Sequence, residues 1–254
     1  MPPHTKVAVV TGGAGGLGRA FCARLTHAGY EAVPVDLHDT ERRLDVTDPA
    51  ACRALAEELR PAVWVNNAGV TGAGALLEHD DDHIERIVRV NLLGVIHGTR
   101  AAATTMLADG GGAILNVASL AGWAPTPHLA VYSASKHGVR AFSVAAAAEL
   151  RGTPVRIHCV LPDGIRTPMV HIADPRHVMS FTGARLLEPD EVAAAGVGLI
   201  GSRRILASVP PRRGAMVRFL GISPTLAFAL QRTVERRARR HQARAVAELE
   251  GPAS

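Results

Sequence analysis

The stretch KVAVVTGGAGGLGRAFCARLTHAG, Lys6–Gly29, decides the fold. Its first part is a short β-branched run closed by glycine, and its second repeats apolar residues at Leu17, Phe21, Leu25 and Ala28 before Gly29. That order predicts a strand, a glycine turn and an amphipathic helix. Glycines at such a junction let backbone N–H groups approach a phosphate, which the positive end of the helix then attracts. Thr11, Gly12, Gly13, Ala14, Gly15, Gly16, Leu17 and Gly18 are therefore candidates to cradle a pyrophosphate. A glycine cluster alone is equally a flexible turn; the strand before it and the helix after it supply the context of a dinucleotide site.

Working outward, YEAVPVD, AVWVNNAG (Ala62–Gly69), AILNVAS (Ala113–Ser119) and VRIHCVLP (Val155–Pro162) each read as strands, nearly continuous in apolar residues. Helical stretches lie at Asp81–Leu107 and Val131–Arg151. Strands apolar on both faces, alternating with helices, predict an α/β fold: a Rossmann-like, doubly wound parallel sheet in three α/β/α layers. Ligands of such folds bind beyond the carboxyl ends of the strands. The 254 residues, 47% hydrophobic, suit a single domain, with a lid at about residues 168–190 and a basic helical extension at about 215–254.

Asp36 ends the second strand eighteen residues past Gly18, where a carboxylate accepts the ribose hydroxyls of an adenosine. The same charge opposes a 2′-phosphate by about 4 kcal/mol at ~4 Å before salt screening, which favours NAD over NADP. Arg42 and Arg43 follow closely and act in the opposite sense. Only eight residues separate Asp36 from Asp45. A parallel crossover normally takes a dozen or more. The helix after the second strand is therefore expected to be missing or reduced to one turn, leaving that flank and the adenine edge open.

VYSASKHGV places Tyr132 and Lys136 four apart on one helical face. Alone this is also the pattern of a surface pair. An ammonium at ~4 Å from a phenol is worth about 4 kcal/mol, enough to lower the Tyr pKa by up to ~3 units and make Tyr132 a proton-transfer group.

The remaining composition excludes more than it assigns. Cys22, Cys52 and Cys159 are too few and scattered for a disulfide framework or metal clip. His79 and His83 beside Asp80–Asp82 lack a third ligand set, so no metal is expected. No apolar run approaches the ~18 to 20 residues of a membrane span, and no secretory leader is evident, which predicts a cytoplasmic protein. The net charge of +5 arises from arginines crowding the last fifth of the chain. A solvated helix face explains that block, and nucleic acid is not expected as a partner.

Taken together, TGGAGGLG, the Asp36 strand end, LDVTD, NNAG, Asn91 in RVNLLG, Ser119 in NVASLAG, YSASK and PDGIRTPM make residues Lys6–Met169 resemble the short-chain dehydrogenase/reductase family. The resemblance implies an enzyme acting on CH–OH donors, with Tyr132 the acid in ketone reduction and the base in alcohol oxidation. Lys136 would hold the nicotinamide ribose, and Ser119 would bond the substrate oxygen. Asn91 would distort its helix and hold a water that links Lys136 to solvent. Asp45 and Val46 would lie at adenine, Asn67, Ala68 and Gly69 along the adenosine ribose, and Ile165 and Thr167, in the segment opened by Pro162, at the carboxamide and phosphates.

Two departures stand out: Asp163 occupies the usual family glycine, and an Arg-rich tail follows the closing strand expected in RILASVPPRRG. The family also implies a homo-oligomer, dimer or tetramer. Met169, Val170, Ile172, Val178, Met179 and Phe181 give the lid an apolar character that suits a hydrophobic small-molecule substrate, a steroid-like or polyketide-like secondary alcohol or ketone. The alternatives are an NADPH-dependent ketoreductase on a carrier-bound acyl chain and a non-catalytic nucleotide sensor. The tail, Arg218–Leu249, combines an apolar patch with a basic helix, which makes peripheral membrane contact a further expectation.

Overall fold

The computed structural model describes residues 6–124, 126–170, 174–183 and 185–250. β1 (Val7–Thr11), β2 (Glu31–Asp36), β3 (Arg42–Arg43), β4 (Val63–Asn66), β5 (Gly112–Val117), β6 (Val155–Pro162) and β7 (Leu206–Val209) form one parallel sheet in the order β3-β2-β1-β4-β5-β6-β7. Successive strand residues face opposite sides. On β1, Ala8 and Val10 join Phe21 and Leu25 of α1 (Gly16–His27) and Val192 of α6 (Pro189–Val197). Val9 instead joins Trp64, Ile114 and Ile157 on the other face, with Cys52 of α2 (Pro49–Leu59) and Met106 of α4 (Gly94–Ala108). Both sheet faces are thus dry, as the unbroken apolar strands demand. An Arg24–Asp190 ion pair also ties α1 to α6.

The link from β2 to β3 contains no helix, as the spacing of the two aspartates predicted. The parallel pairing is possible because β3 matches only the last two residues of β2, Val35 with Arg42 and Asp36 with Arg43, so the chain has little distance to retrace. Thr40 stabilises the reversal by accepting the Asp36 N–H and donating to the Arg42 carbonyl. The flank is not left open, however. α2 follows at once, and its Cys52, Leu55 and Ala56 cover that face together with Leu44 and Val46. Asp48 caps α2 by accepting from the N–H groups of Ala50 and Ala51, with Pro49 at its first position. The rim remains exposed, Leu37, His38, Arg43 and Asp45 included.

Two devices set the helices that carry the site. The stretch expected as one helix is α3 (Asp81–Val88), a π-helical turn over Arg89–Leu93 and α4. Beneath it a buried polar network runs from Trp64 Nε1 to Asn66 Oδ1, and from Asn66 Nδ2 to Thr99 and Asn116; Asn116 Nδ2 in turn donates to Ser143 of α5 (Ala130–Glu149). These bonds fix α4 and α5 in register on the central strands.

The basic tail forms α7 (Pro211–Ile222) and α8 (Pro224–Glu250). α7 lies close against the body because Gly214 and Gly221 have no side chain: a Cβ would meet Ser208 Cβ at 2.0 Å and the Trp123 carbonyl oxygen at 2.1 Å. Arg140 and Arg218 both lie over the Trp123 ring, 4.2 and 5.2 Å from its centre. α8 packs on the lid through Ala238 and through Gln242, whose Nε2 donates to the Asp174 carbonyl.

Candidate active site

A cleft of about 1370 Å³ opens beyond the carboxyl ends of the strands. Gly12, Gly15, Gly16, Leu17 and Gly18 line it, but the glycines have different duties. Gly12 takes φ +65°, open to glycine at little cost. A Cβ on Gly13 would lie 2.6 Å from Pro34 Cβ, and one on Gly18 would lie 2.1 Å from the Gly12 carbonyl oxygen. These two shape the turn. A Cβ on Gly15 would meet nothing nearer than 3.5 Å, and one on Gly16 nothing nearer than the Thr167 side chain, also at 3.5 Å. Their backbones are therefore free to approach a pyrophosphate, and the cradle fits a dinucleotide.

Asp36, Asp45, Val46, Asn67, Ala68 and Gly69 continue the lining toward the rim, and Pro162, Ile165 and Thr167 lie across from the turn. The Asp36 carboxylate accepts the N–H groups of Ala14 and Leu37, so it braces the glycine turn from the neighbouring strand. Both arginines of that edge are exposed, and Arg42 is paired with Glu58 at 2.6 Å. Three residues expected in contact with the cofactor do not line the cleft. Thr11 is buried because its hydroxyl receives the N–H groups of Asn67 and Ala68 and donates to the Val65 carbonyl. Gly13 and Ala14 are turned toward β2 by Gly13 N–H to Val35 and Ala14 N–H to Asp36.

At the deep end, Ser119, Tyr132 and Lys136 line the same cleft. Ser119 follows β5 and accepts the Ala121 N–H. Lys136 is buried, 5% exposed, with Nζ donating to the Val117 carbonyl at 3.0 Å and lying 5.6 Å from the Tyr132 ring centre. The net shift of the phenol is upward. Burial pushes the Tyr132 hydroxyl up, eased by Ser119, and burial lowers Lys136 to about 8. At this separation the loss of solvation outweighs the charge attraction. Asn91 sits in the π turn behind this group, fully buried, with Oδ1 accepting the Val70 N–H at 2.8 Å and Nδ2 donating to the Val70 carbonyl at 3.0 Å.

Of the apolar lid residues, Met169, Val170 and Met179 face the cleft, whereas Val178 packs into a cluster with Leu186 and Ala238. Ile172 and the Phe181 side chain lie outside the described residues. The larger surprise is the opposite wall. Arg213, Met216, Phe219 and Leu220 of α7 and Leu226 and Phe228 of α8 complete the cleft. The apolar patch around Leu220–Leu230 is visible in the sequence, but nothing local says that it lines the same cleft as Tyr132.

Asp163 accommodates a side chain without a positive φ. Its carboxylate accepts from Arg213 Nε at 3.2 Å; burial raises its pKa while Arg213 opposes the rise. His79 and His83 stack with ring centres 4.8 Å apart, and no group of three or more potential ligand residues gathers around them among the described residues.

A parallel sheet with a glycine-cradled nucleotide site and a tyrosine–lysine–serine cluster at its strand ends defines a nucleotide-dependent oxidoreductase. Residues 6–176 match the family model for short chain dehydrogenases, and the chain belongs to that family. A 3-alpha-(or 20-beta)-hydroxysteroid dehydrogenase of Mycobacterium tuberculosis is 32% identical over 207 residues, 74% of this chain and 79% of that protein. A short-chain dehydrogenase/reductase of Burkholderia phymatum in complex with NAD superposes with a TM-score of 0.77 at 27% identity, covering 88% of this chain and 95% of that one. A Beutenbergia cavernae structure with NADP at low occupancy gives 0.73 at 26% identity, over 80% and 94%.

Proposed function

We propose that the protein interconverts a hydrophobic secondary alcohol and its ketone with NAD, using Tyr132 to move the proton. The observation that carries the reading is the convergence of Tyr132, Ser119 and Lys136 on one cleft that is apolar on its far side and reaches Asp36 at its rim. Gly15 and Gly16 would receive the pyrophosphate, Asp36 the adenosine ribose, Asp45 and Val46 the adenine side, and Lys136, Ile165 and Thr167 the nicotinamide half. When bound, the dinucleotide supplies or accepts the hydride. Ser119 orients the substrate oxygen beside Tyr132. The phenol keeps its proton at neutral pH because burial raises its pKa, so it donates to the carbonyl oxygen during reduction. Oxidation requires the ionised phenol and is favoured as pH rises. Asn91, locked to Val70, would keep a path for proton exchange beside Lys136.

NAD is favoured because Asp36 presents a charge where NADP carries its 2′-phosphate, and because Arg42 is engaged by Glu58. The named activity of the M. tuberculosis relative supports a steroid-like substrate. A screen of hydroxysteroids and polyketide-like alcohols with NAD and with NADP tests both points. Turnover only of carrier-bound acyl chains with NADPH would move the assignment to the ketoreductase alternative, and absence of any hydride transfer would move it to a nucleotide sensor.

No described helix is long and apolar enough to cross a membrane. We assign α7 and α8 to peripheral contact with an anionic membrane. Ile222 is 75% exposed, Phe219 and Phe228 remain 65% and 79% exposed where they border the cleft, and nine arginines against three glutamates occupy residues 211–250. The protein should float with anionic vesicles and release at high salt. Failure to float, together with a dimeric or tetrameric mass by light scattering, would reassign the patch to the homo-oligomer contact that the family resemblance implies.

A further inference from the structure

The ion pair of Asp163 and Arg213 is the most buried among the described residues, with side chains 11% and 22% exposed. It lies where four pieces of the cleft meet. Asp163 directly follows β6 and donates its N–H to the Val209 carbonyl at the end of β7. The next residue, Gly164, starts the run that pairs with Leu187 and presents Ile165 and Thr167 to the cleft. Arg213 belongs to the first turn of α7. On the lid, Gly183 comes so near the Asp163 carboxylate that a Cβ there would stand 2.7 Å from Oδ2. The Gly183 carbonyl in turn lies 2.5 Å from His241 Nδ1 of α8.

We infer that Asp163 and Arg213 are positioning residues: their ion pair clasps the C-terminal helices and the lid to the nicotinamide end of the cleft, setting how tightly the dinucleotide and substrate are held. This rests on the reading of the cleft as a dinucleotide site. An exposed ion pair would contribute little, but a buried one confines geometry, because each partner left alone is a desolvated charge. The pair therefore substitutes for the glycine of the family resemblance by a tether to an extension in this chain. Proton transfer at Tyr132 does not pass through it.

The test compares wild type with Arg213→Met, which keeps length and packing, Arg213→Lys, which keeps charge, and the double variant Asp163→Asn/Arg213→Met, which removes both charges. NADH affinity is read from nucleotide fluorescence, and hydrogen exchange is followed over residues 164–170 and 174–183. KM and kcat are measured with an alcohol that wild type oxidises. Arg213→Met and the double variant should both weaken NADH binding and raise the substrate KM by about tenfold or more, with faster exchange in both segments and kcat within about threefold. Arg213→Lys should recover most of the affinity. Unchanged affinity and exchange in folded Arg213→Met would overturn the clasp. Full recovery in the double variant would also overturn it, showing that the pair only neutralises a buried charge. If Arg213→Met does not fold, Asp163→Asn, which leaves the arginine at the cleft edge, carries the same comparison. Wild-type protein that binds no NADH would fail the dinucleotide reading itself, a result distinct from wild type binding while the variants match it.

Discussion

Tyr132→Phe is expected to lower kcat by about 10²- to 10⁴-fold in either direction while leaving NADH affinity within about threefold of wild type. Phenylalanine keeps the ring beside Lys136 and removes only the hydroxyl. The loss therefore isolates proton transfer from binding. The pH dependence provides a second reading with a definite sign. Burial raises the Tyr132 pKa, so the protonated form persists through neutral pH; reduction should hold up there and fall only as the phenol ionises, whereas oxidation should climb over the same range. Steady-state rates in both directions across pH, for wild type and Tyr132→Phe, check the assignment. Equal kcat for the two proteins would remove Tyr132 from the mechanism.

Asp36→Ala should shift the ratio of kcat/KM for NAD over NADP by about 100-fold toward NADP, after screening reduces the ~4 kcal/mol of bare repulsion. Two effects add. Loss of the charge admits the 2′-phosphate, for which Arg43 is an exposed guanidinium on that edge. Loss of the carboxylate also frees the Ala14 and Leu37 N–H groups that it holds, which loosens the glycine turn and weakens NAD itself. A wild-type preference for NADP that the substitution leaves unchanged would overturn the NAD assignment.

Much of this architecture rests on signals confined to a few consecutive residues. β-branched runs, the glycine turn and the apolar period of α1 are local, and the missing crossover helix follows from counting residues between Asp36 and Asp45. The Asp48–Pro49 cap of α2 is just as local, but that α2 folds back over the flank beside the short loop depends on Cys52, Leu55 and Ala56 meeting Leu44 and Val46. The candidate site divides along the same line. Tyr132 and Lys136 are recognisable as neighbours because four residues of helix bring them together. Thr11, Gly13 and Ala14 sit in the same motif as Gly15 and Gly16, but only packing against Pro34, Val35 and β4 reveals that they support the cradle instead of facing it.

The sequence by itself determined the parallel sheet, the nucleotide turn, the acidic strand end and the membership of the reacting group, because each is written in spacing along one element. Only the tertiary structure decided the rest. Lys136 is moved to about 8 and Tyr132 upward by burial, and burial is a property of the assembled core rather than of the four-residue spacing between them. Asp163 and Arg213 are 50 residues apart and become partners only when β6 and α7 converge. The tail read as a basic appendage closes the cleft because Gly214 and Gly221 admit it against Ser208 and Trp123, contacts between distant segments that no local pattern records.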